Sequence, residues 1–298
     1  MNSIKSVFSI KDLENLSGVK AHTIRIWEKR YDILEPMRTD TNIRLYDIEN
    51  LQKLLNITLL HSHGYKISKI SKFPADKIPQ LVKGILSEKN AKNHALNAFK
   101  VAMMNFDQSL FLNTYNTLLA EKSFSLIFNE VLVPLLNEIG TLWQTGTITP
   151  AHEHFITYLI RQKLLSNIET LQLKEPTNDK KTFVLYLPHN EIHELGLIYL
   201  NYEILLKGYK TIYLGQSIPM ENLKEFSKYF ENTIFLSYWS IFPEMDQVDI
   251  YVQKFQEEIL LDATSELWVL GKMSKYIDKK NLKSISAYTT LQEVISKL

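Results

Sequence analysis

The sequence predicts a multidomain chain of α and α/β segments: a head of short helices, a helical bundle and a doubly wound parallel sheet. Three observations carry this. Residues 1–75 break into short amphipathic stretches with tight turns and hold 8 Lys and 4 Arg against 8 Asp or Glu. Residues 76–175 keep a helical apolar period almost throughout. Residues 176–298 switch to short apolar, β-favouring runs that alternate with helical stretches, the signature of strands covered by helices on both faces.

In the head, Ser9 can cap a helix over Ile10 to Leu16, and Gly18 ends it. A second helix follows through Lys20-Ala21-His22-Thr23-Ile24-Arg25-Ile26-Trp27-Glu28-Lys29-Arg30. Ile24 and Trp27, with Val19 just ahead, face one side; Arg25, Lys29 and His22 face the other. Two helices with a tight Gly turn and a basic outer face form a helix-turn-helix pattern. Short extended pieces at 37–38 and 43–46, joined by polar residues 39–42, suggest a wing. Asp47 is placed to cap the next helix.

The 298 residues are 45% hydrophobic and 22% charged, an ordinary globular balance for two or three domains. With no cysteine, disulfides, thiolate catalysis and Cys-ligated metals are excluded. Apolar runs such as Phe183 to Leu187 fall far short of the roughly 20 residues of a membrane span. The start, Met1-Asn2-Ser3-Ile4-Lys5, has no signal-peptide pattern. A cytoplasmic location without a membrane partner is therefore expected. Net charge is +1, but the first 75 residues carry +4 and the rest −3, so only the N-terminal end is expected to meet a polyanion.

The segments "TIRIWEKRY", "NIRLYD" and "ENLQKLLNITLLHSHGYKISKI" resemble the MerR family of winged-helix transcription regulators. The resemblance implies a 1–75 DNA-binding domain on a double-stranded operator. The helix near Ala21 would enter the major groove with Arg25 near base edges or phosphates. Arg30, Tyr31, Arg38, Arg44 and Tyr46 would clamp the backbone, since guanidinium forks and phenol hydroxyls suit phosphate oxygens. Tyr31 and Tyr46 also fit the edge of a core.

The bundle, residues 76–175, is expected to have helices near 79–87, 90–103, 107–121, 123–143 and 150–171. Leu126, Phe128, Val131, Leu132, Val133, Leu135, Leu136 and Leu142 form a broad apolar surface, and Pro134 should kink that helix. Trp143 ends it, Gly146 turns, and Thr149 with Pro150 start the next. Trp143, Glu153 and His154 therefore gather at one end of the bundle.

Beyond a linker at 172–181, strands are expected at 182–187, 210–214, 233–237 and 266–270. Helices are expected at 194–207, after Pro219 and at 244–261, with a shorter βα pair last. This is a flavodoxin-like order, which binds ligands beyond the carboxyl ends of its strands. The first such loop, Pro188-His189-Asn190-Glu191-Ile192-His193-Glu194-Leu195-Gly196, has no phosphate-binding glycine motif. It carries a carboxylate two residues before an imidazole, an arrangement that suits a metal-ligating His held by its second nitrogen.

Glu191-x-His193-x-x-Gly196, Gly208 and "YLGQSIP" resemble the cobalamin-binding domain. With Trp143-x9-Glu153-His154, the whole chain resembles the adenosylcobalamin-dependent, light-responsive repressors of the CarH and LitR type. The resemblance implies a 76–175 cobalamin cap and a 176–298 Rossmann-like cobalamin domain. His193 would be the lower cobalt ligand in place of the cofactor's own base, oriented by Glu191. Trp143, Glu153 and His154 would cover the adenosyl face. The displaced nucleotide tail would run past Gly215, Ser237 and Gly271, with Gly196 of the loop motif also at the cofactor. Light would cleave the cobalt–carbon bond and break a DNA-holding homo-oligomer.

Three positions depart from that pattern. Gln144 stands where the photoreceptors commonly carry His, and a carboxamide is a poor cobalt ligand. Lys272 follows Gly271 where a second Gly is usual, and Trp239 is bulky for its place. The alternative is therefore a MerR-type regulator whose cobalamin-like domain has lost the cofactor and serves as an interaction module. An enzyme is not expected: no nucleophile–base pair is visible, and a corrinoid carrier has no use for a DNA-reading head.

Overall fold

The computed structural model describes residues 7–74, 76–84, 88–230, 232–261, 264–278 and 284–298. It divides into two compact units, Met1–Ile160 and Arg161–Leu298.

The first unit opens with β1 (Phe8–Ser9), α1 (Ile10–Ser17), α2 (Ala21–Tyr31), β2 (Met37–Arg38), β3 (Arg44–Tyr46), α3 (Ile48–Ser62) and α4 (Ile67–Ile70). Local chemistry sets the helix ends. The Ser9 hydroxyl accepts the Asp12 N–H while the Asp12 carboxylate accepts the Ser9 N–H at 2.8 Å, a capping box. Gly18 takes the left-handed conformation that closes α1. Asp47 accepts the Asn50 N–H at 2.9 Å to start α3. The wing strands form as expected, but β1 joins them, giving an antiparallel sheet of order β1-β3-β2. Phe8 opposite Tyr46 carries this third strand into the core.

The bundle follows with α5 (Lys77–Gly84), α6 (Glu88–Asn105), α7 (Gln108–Leu119), α8 (Phe124–Ile127), α9 (Val133–Gln144) and α10 (Pro150–Gln172). The 85–87 end of the expected 79–87 helix lies outside the described residues. At Pro134 the expectation was a kink. The chain instead forms a π turn at Phe128–Leu132, where the Val133 N–H bonds the Phe128 carbonyl five residues back. Pro134 has no N–H to continue the regular ladder, and the wider turn absorbs that loss. Phe124–Gln144 is, by length and composition, long and apolar enough to cross a membrane, contrary to the expectation from short apolar runs. In the bundle its Phe128, Val131, Leu132, Leu135, Ile139 and Leu142 are buried. Leu126, expected on the apolar surface, is largely exposed.

The second unit begins within α10. It contains β4 (Asn178–Pro188), α11 (Leu195–Leu206), β5 (Tyr209–Ile218), α12 (Phe226–Tyr229), β6 (Thr233–Tyr238), α13 (Val248–Glu258), β7 (Glu266–Leu270), β8 (Ile285–Tyr288) and α14 (Leu291–Ile295). All strand pairs are parallel, in the order β5-β4-β6-β7-β8. β4 starts inside the expected linker, because the Thr177 and Asn178 N–H groups both donate to the Gly208 carbonyl. The helix expected after Pro219 is a short 3₁₀ turn, Met220–Leu223, followed by one turn of α12.

Side chains alternate across the sheet. Val184, Tyr186, Phe235 and Trp239 pack with Val252 and Phe255 of α13. Phe183, Leu185, Leu187 and Leu236 pack with Leu197 and Leu200 of α11 on the other face. Because β4 lies between β5 and β6, the order reverses there, and the loops after β4 and β6 flank the crevice where such sheets hold ligands.

Candidate functional site

The head presents α2 and the wing as its basic surface. Ile24 and Trp27 are buried beneath α2, while His22, Arg25, Lys29 and Arg30 are exposed. The Arg30 guanidinium lies over the Tyr31 ring, 5.6 Å from its centroid. Arg38 in β2 is exposed and donates to Asn42 at 2.6 Å across the wing turn. Two expected phosphate ligands have partners inside the head: partly exposed Arg44 and buried Tyr46. Arg44 Nε donates to Glu28 at 2.7 Å, and the Tyr46 hydroxyl donates to the same carboxylate at 2.8 Å. Tyr46 is fully buried. The reading of Tyr46 as a backbone clamp is thereby corrected: it is a core residue that fixes the wing to α2. Burial and the Glu28 carboxylate push its phenol far above the ordinary range. Ile26 and Ile43 are exposed beside these cations; sequence periodicity did not single them out.

At the α9–α10 corner, Trp143, Gln144 and His154 are exposed and Glu153 is half-buried. His154 Nε2 lies 3.3 Å from Glu153. His152, one turn into α10 and absent from the sequence reading, is buried and stacks on Phe106 with ring centroids 4.7 Å apart. Thr149 precedes Pro150 as expected, and its hydroxyl meets His152 Nδ1 at 2.8 Å.

The loop after β4 is organised by one carboxylate. Glu191 is fully buried. Its Oε1 accepts the N–H groups of Ile192 and His193 at 2.9 and 3.0 Å and lies 2.6 Å from His193 Nδ1. Its Oε2 accepts the N–H groups of Ser240, Ile241 and Phe242, in the loop after β6, at 2.9, 2.7 and 3.1 Å. Burial opposes the charge, but the Ile241, His193 and Phe242 backbone N–H groups and the His193 imidazole outweigh it and hold the carboxyl at about 2. A carboxylate only accepts, so Nδ1 carries the hydrogen; in the neutral imidazole the lone pair is then on Nε2. The His193 side chain is half-exposed. Ile192 and Ile241, tethered to the same carboxylate, are exposed beside it. Among the described residues no group of three or more His, Cys, Asp or Glu could hold a metal ion, so this loop offers a single oriented imidazole rather than a cage.

Glu194 follows. It is buried and accepts Arg161 Nε at 2.6 Å and the Tyr213 hydroxyl at 3.2 Å. Neither partner was apparent from sequence, because the three residues lie on α10, the β4 loop and β5.

Three of the positions expected at the cofactor, Ser237, Gly271 and Gly196, are occupied by the chain itself. The Ser237 hydroxyl is buried and accepts Trp239 Nε1 at 2.8 Å. At Gly271, with φ +113°, an added Cβ would lie 2.4 Å from the Trp239 carbonyl oxygen. At Gly196 it would lie 2.6 Å from the Tyr238 ring. Gly215 takes φ +85° opposite Tyr186 at an irregular step in the β4–β5 pairing. Lys272, expected to crowd the tail, is exposed; the crowding comes from Trp239.

Comparison with known proteins agrees with both ends of this description. Residues 8–76 match the MerR HTH family regulatory proteins, and residues 95–165 match the B12 binding domain. The HTH-type transcriptional repressor CarH of Myxococcus xanthus is 30% identical over 226 residues, covering 72% of this chain and 73% of that protein. The repressor CarA of the same organism is 25% identical over 220 residues, covering 72% and 70%. The monomethylamine corrinoid protein of Methanosarcina barkeri shares the fold, with TM-score 0.58 and 13% identity over 71% of this chain and 98% of that one. A winged helix-turn-helix head, a bundle matching a B12 binding domain and CarH-like sequence over most of its length together place this chain among the MerR-type transcription regulators with a B12-binding domain, a family of CarH-like repressors and not of enzymes.

Proposed function

We propose that the chain is a cytoplasmic transcriptional repressor that holds a double-stranded DNA operator through its head and senses a corrinoid through its bundle and α/β unit. The observation that carries the corrinoid reading is the Glu191–His193 pair. A buried carboxylate fixes the ring of a half-exposed side chain through Nδ1, and a neutral imidazole held in this way has its Nε2 lone pair for a transition metal. In this reading His193 would ligate cobalt, and exposed Trp143 and half-buried Glu153, with exposed His154 beside them, would cover the adenosyl group. Adenosylcobalamin is the form the CarH-like sequence favours; its cobalt–carbon bond would supply light-cleavable chemistry. On the DNA side, Arg25 faces base edges or phosphates, and Arg30, Tyr31 and Arg38 face the backbone. Arg44 reaches it while paired with Glu28. Assembly on the operator is as a homo-oligomer.

The test uses the full chain. Its absorbance is followed on titration with adenosylcobalamin, dark and lit, beside His193→Ala, and operator binding is measured in each state. The reading requires a cobalt-ligand spectral shift that His193→Ala abolishes and operator affinity that differs between states. The second reading, an interaction module that holds no cofactor, is favoured by the filled space around Ser237, Gly196 and Gly271. A full chain that represses its operator without any corrinoid shift would establish it.

A further inference from the structure

We propose that Tyr238 and Trp239 plug the strand ends on both faces of the sheet, so that the His193 site takes a corrin ring without inserting a nucleotide tail; its preferred ligand is a corrinoid that lacks the lower nucleotide. This rests on the corrinoid reading above and narrows its ligand class.

Consecutive residues of a strand point to opposite faces. Tyr238, the last residue of β6, packs on the α11 face, and Trp239, the next residue past the strand, packs on the α13 face. Tyr238 fills what the missing side chain of Gly196 would otherwise leave open at the start of α11. Its Cε2 and Cδ2 stand 2.6 and 2.9 Å from where a Cβ would be, so no ligand atom fits between them. Trp239 is fully buried and packs edge-on against Tyr251, centroids 5.2 Å apart. The Tyr251 hydroxyl in turn donates to that of buried Tyr186 at 3.2 Å. Trp239 also takes the Ser237 hydroxyl, the polar group a nucleotide base would need there.

The Trp239 main chain is held as well as its indole. Its N–H donates to the Leu270 carbonyl at 2.7 Å and its carbonyl accepts the Met273 N–H at 3.0 Å. Gly271 is glycine because the Trp239 backbone passes against it, not because a ligand does. Expelling the indole would open a large cavity in a close-packed core and orphan buried polar atoms. The His193 side is the reverse: a half-exposed imidazole beside exposed Ile192 and Ile241. A flat ring can settle on it without penetrating the sheet.

A complete cobalamin carries its own base on the lower face of cobalt. For His193 to replace it, the displaced tail must leave, and the space beside Ser237, Gly196 and Gly271 is already taken by Tyr238 and Trp239, so a tail would have to stay outside the strand ends, no deeper than the cleft lined by Pro219, Pro243 and Tyr251. A cobinamide, with the same ring and no nucleotide, faces neither cost.

The experiment titrates the full chain with aquocobinamide and with aquocobalamin, reading the absorbance shift of histidine ligation, alongside His193→Ala. Cobinamide is expected to bind at least tenfold tighter than cobalamin, with both shifts lost in His193→Ala. Cobalamin binding as tightly as cobinamide, or more tightly, overturns the inference and leaves the corrinoid reading intact. A shift with neither ligand, or one that survives His193→Ala, removes the corrinoid reading and this inference with it. The double variant Tyr238→Ala/Trp239→Leu, where it folds, should move the preference toward cobalamin. The wild-type comparison decides the question without it.

Discussion

One oxygen of the Glu191 carboxylate lies 2.6 Å from His193 Nδ1, and the other accepts three successive N–H groups of residues 240–242. A single side chain thus aims the imidazole and ties the β4 loop to the β6 loop. Glu191→Gln turns one acceptor oxygen into an N–H₂ group facing either backbone donors or the imidazole. Buried donors left without an acceptor cost about 1–3 kcal/mol each. The variant is expected to lose about 3 kcal/mol of stability in chemical denaturation. A loss under about 1 kcal/mol would mean the loops are held by something else.

The same carboxylate sets an acid dependence. Its carboxyl sits at about 2 in the folded chain against 4.5 as the ordinary value. A depressed group contributes stability that is complete above its unfolded pKa and is lost as pH falls through its folded one. The contribution is therefore present at neutral pH and declines from about pH 4.5 toward pH 2, by about 3 kcal/mol in all. Denaturation midpoints over that range should fall more steeply for the wild type than for Glu191→Gln. Parallel slopes would show that Glu191 is not the titrating group.

The two arginines of the reading head should behave differently. Arg25 is exposed. Arg25→Ala is expected to leave the melting temperature unchanged, weaken operator binding, and lower the salt slope by about one if the contact is to phosphate. Arg44 neutralises Glu28, a carboxylate only 11% exposed. Arg44→Ala strands that charge beside Tyr46 and should lower the melting temperature as well as DNA affinity. Thermal melts beside operator titrations at several salt concentrations separate the two. Equal melting temperatures would show that the Arg44–Glu28 pair is incidental.

What could be read in advance was what short-range chemistry decides. Ser9, Gly18 and Asp47 announce helix ends because capping is settled within three or four residues. The Glu191–His193 pair was visible for the same reason. The missing pieces depend on long-range partners. Strand β1 is two residues long and exists only through Tyr46 and Leu45. Sequence left Tyr46 open between a backbone clamp and a core edge; the Glu28 carboxylate, 18 residues back, is what decides for the core. The bulk of Trp239 was legible, but not that its indole turns inward to Ser237 while its backbone presses on Gly271.

Two glycines test the packing in opposite directions. Gly271 combines a left-handed backbone with the Trp239 carbonyl 2.4 Å from any Cβ. Neither can yield cheaply, since the neighbour is hydrogen-bonded backbone. Gly271→Ala should cost at least about 3 kcal/mol. Gly140, inside α9, would meet nothing within 4 Å. Gly140→Ala should stabilise by about 0.5–1 kcal/mol through helix propensity alone. Denaturant midpoints give both signs, and the same sign for both would contradict this description of the two sites.

Lys100 is the last test, because it ties the head to the bundle. It lies on α6, is only 8% exposed, and reaches the Leu16 carbonyl at the end of α1 at 3.4 Å while ion-paired with Glu138 of α9. Removing one member of such a pair leaves an uncompensated charge, whereas removing the charge itself and keeping the apolar stem does not. Glu138→Ala strands the ammonium against a single carbonyl. It should cost about 2 kcal/mol, less than a fully buried pair because Glu138 is 43% exposed. Lys100→Met keeps the stem in place and leaves Glu138 able to turn to water, so it should cost under about 1 kcal/mol. Truncating the buried residue's partner is thus expected to hurt more than substituting the buried residue itself. Chemical denaturation of the two variants decides it: a larger loss in Lys100→Met would mean that the bond to Leu16, not charge compensation, is what holds α1 to the bundle.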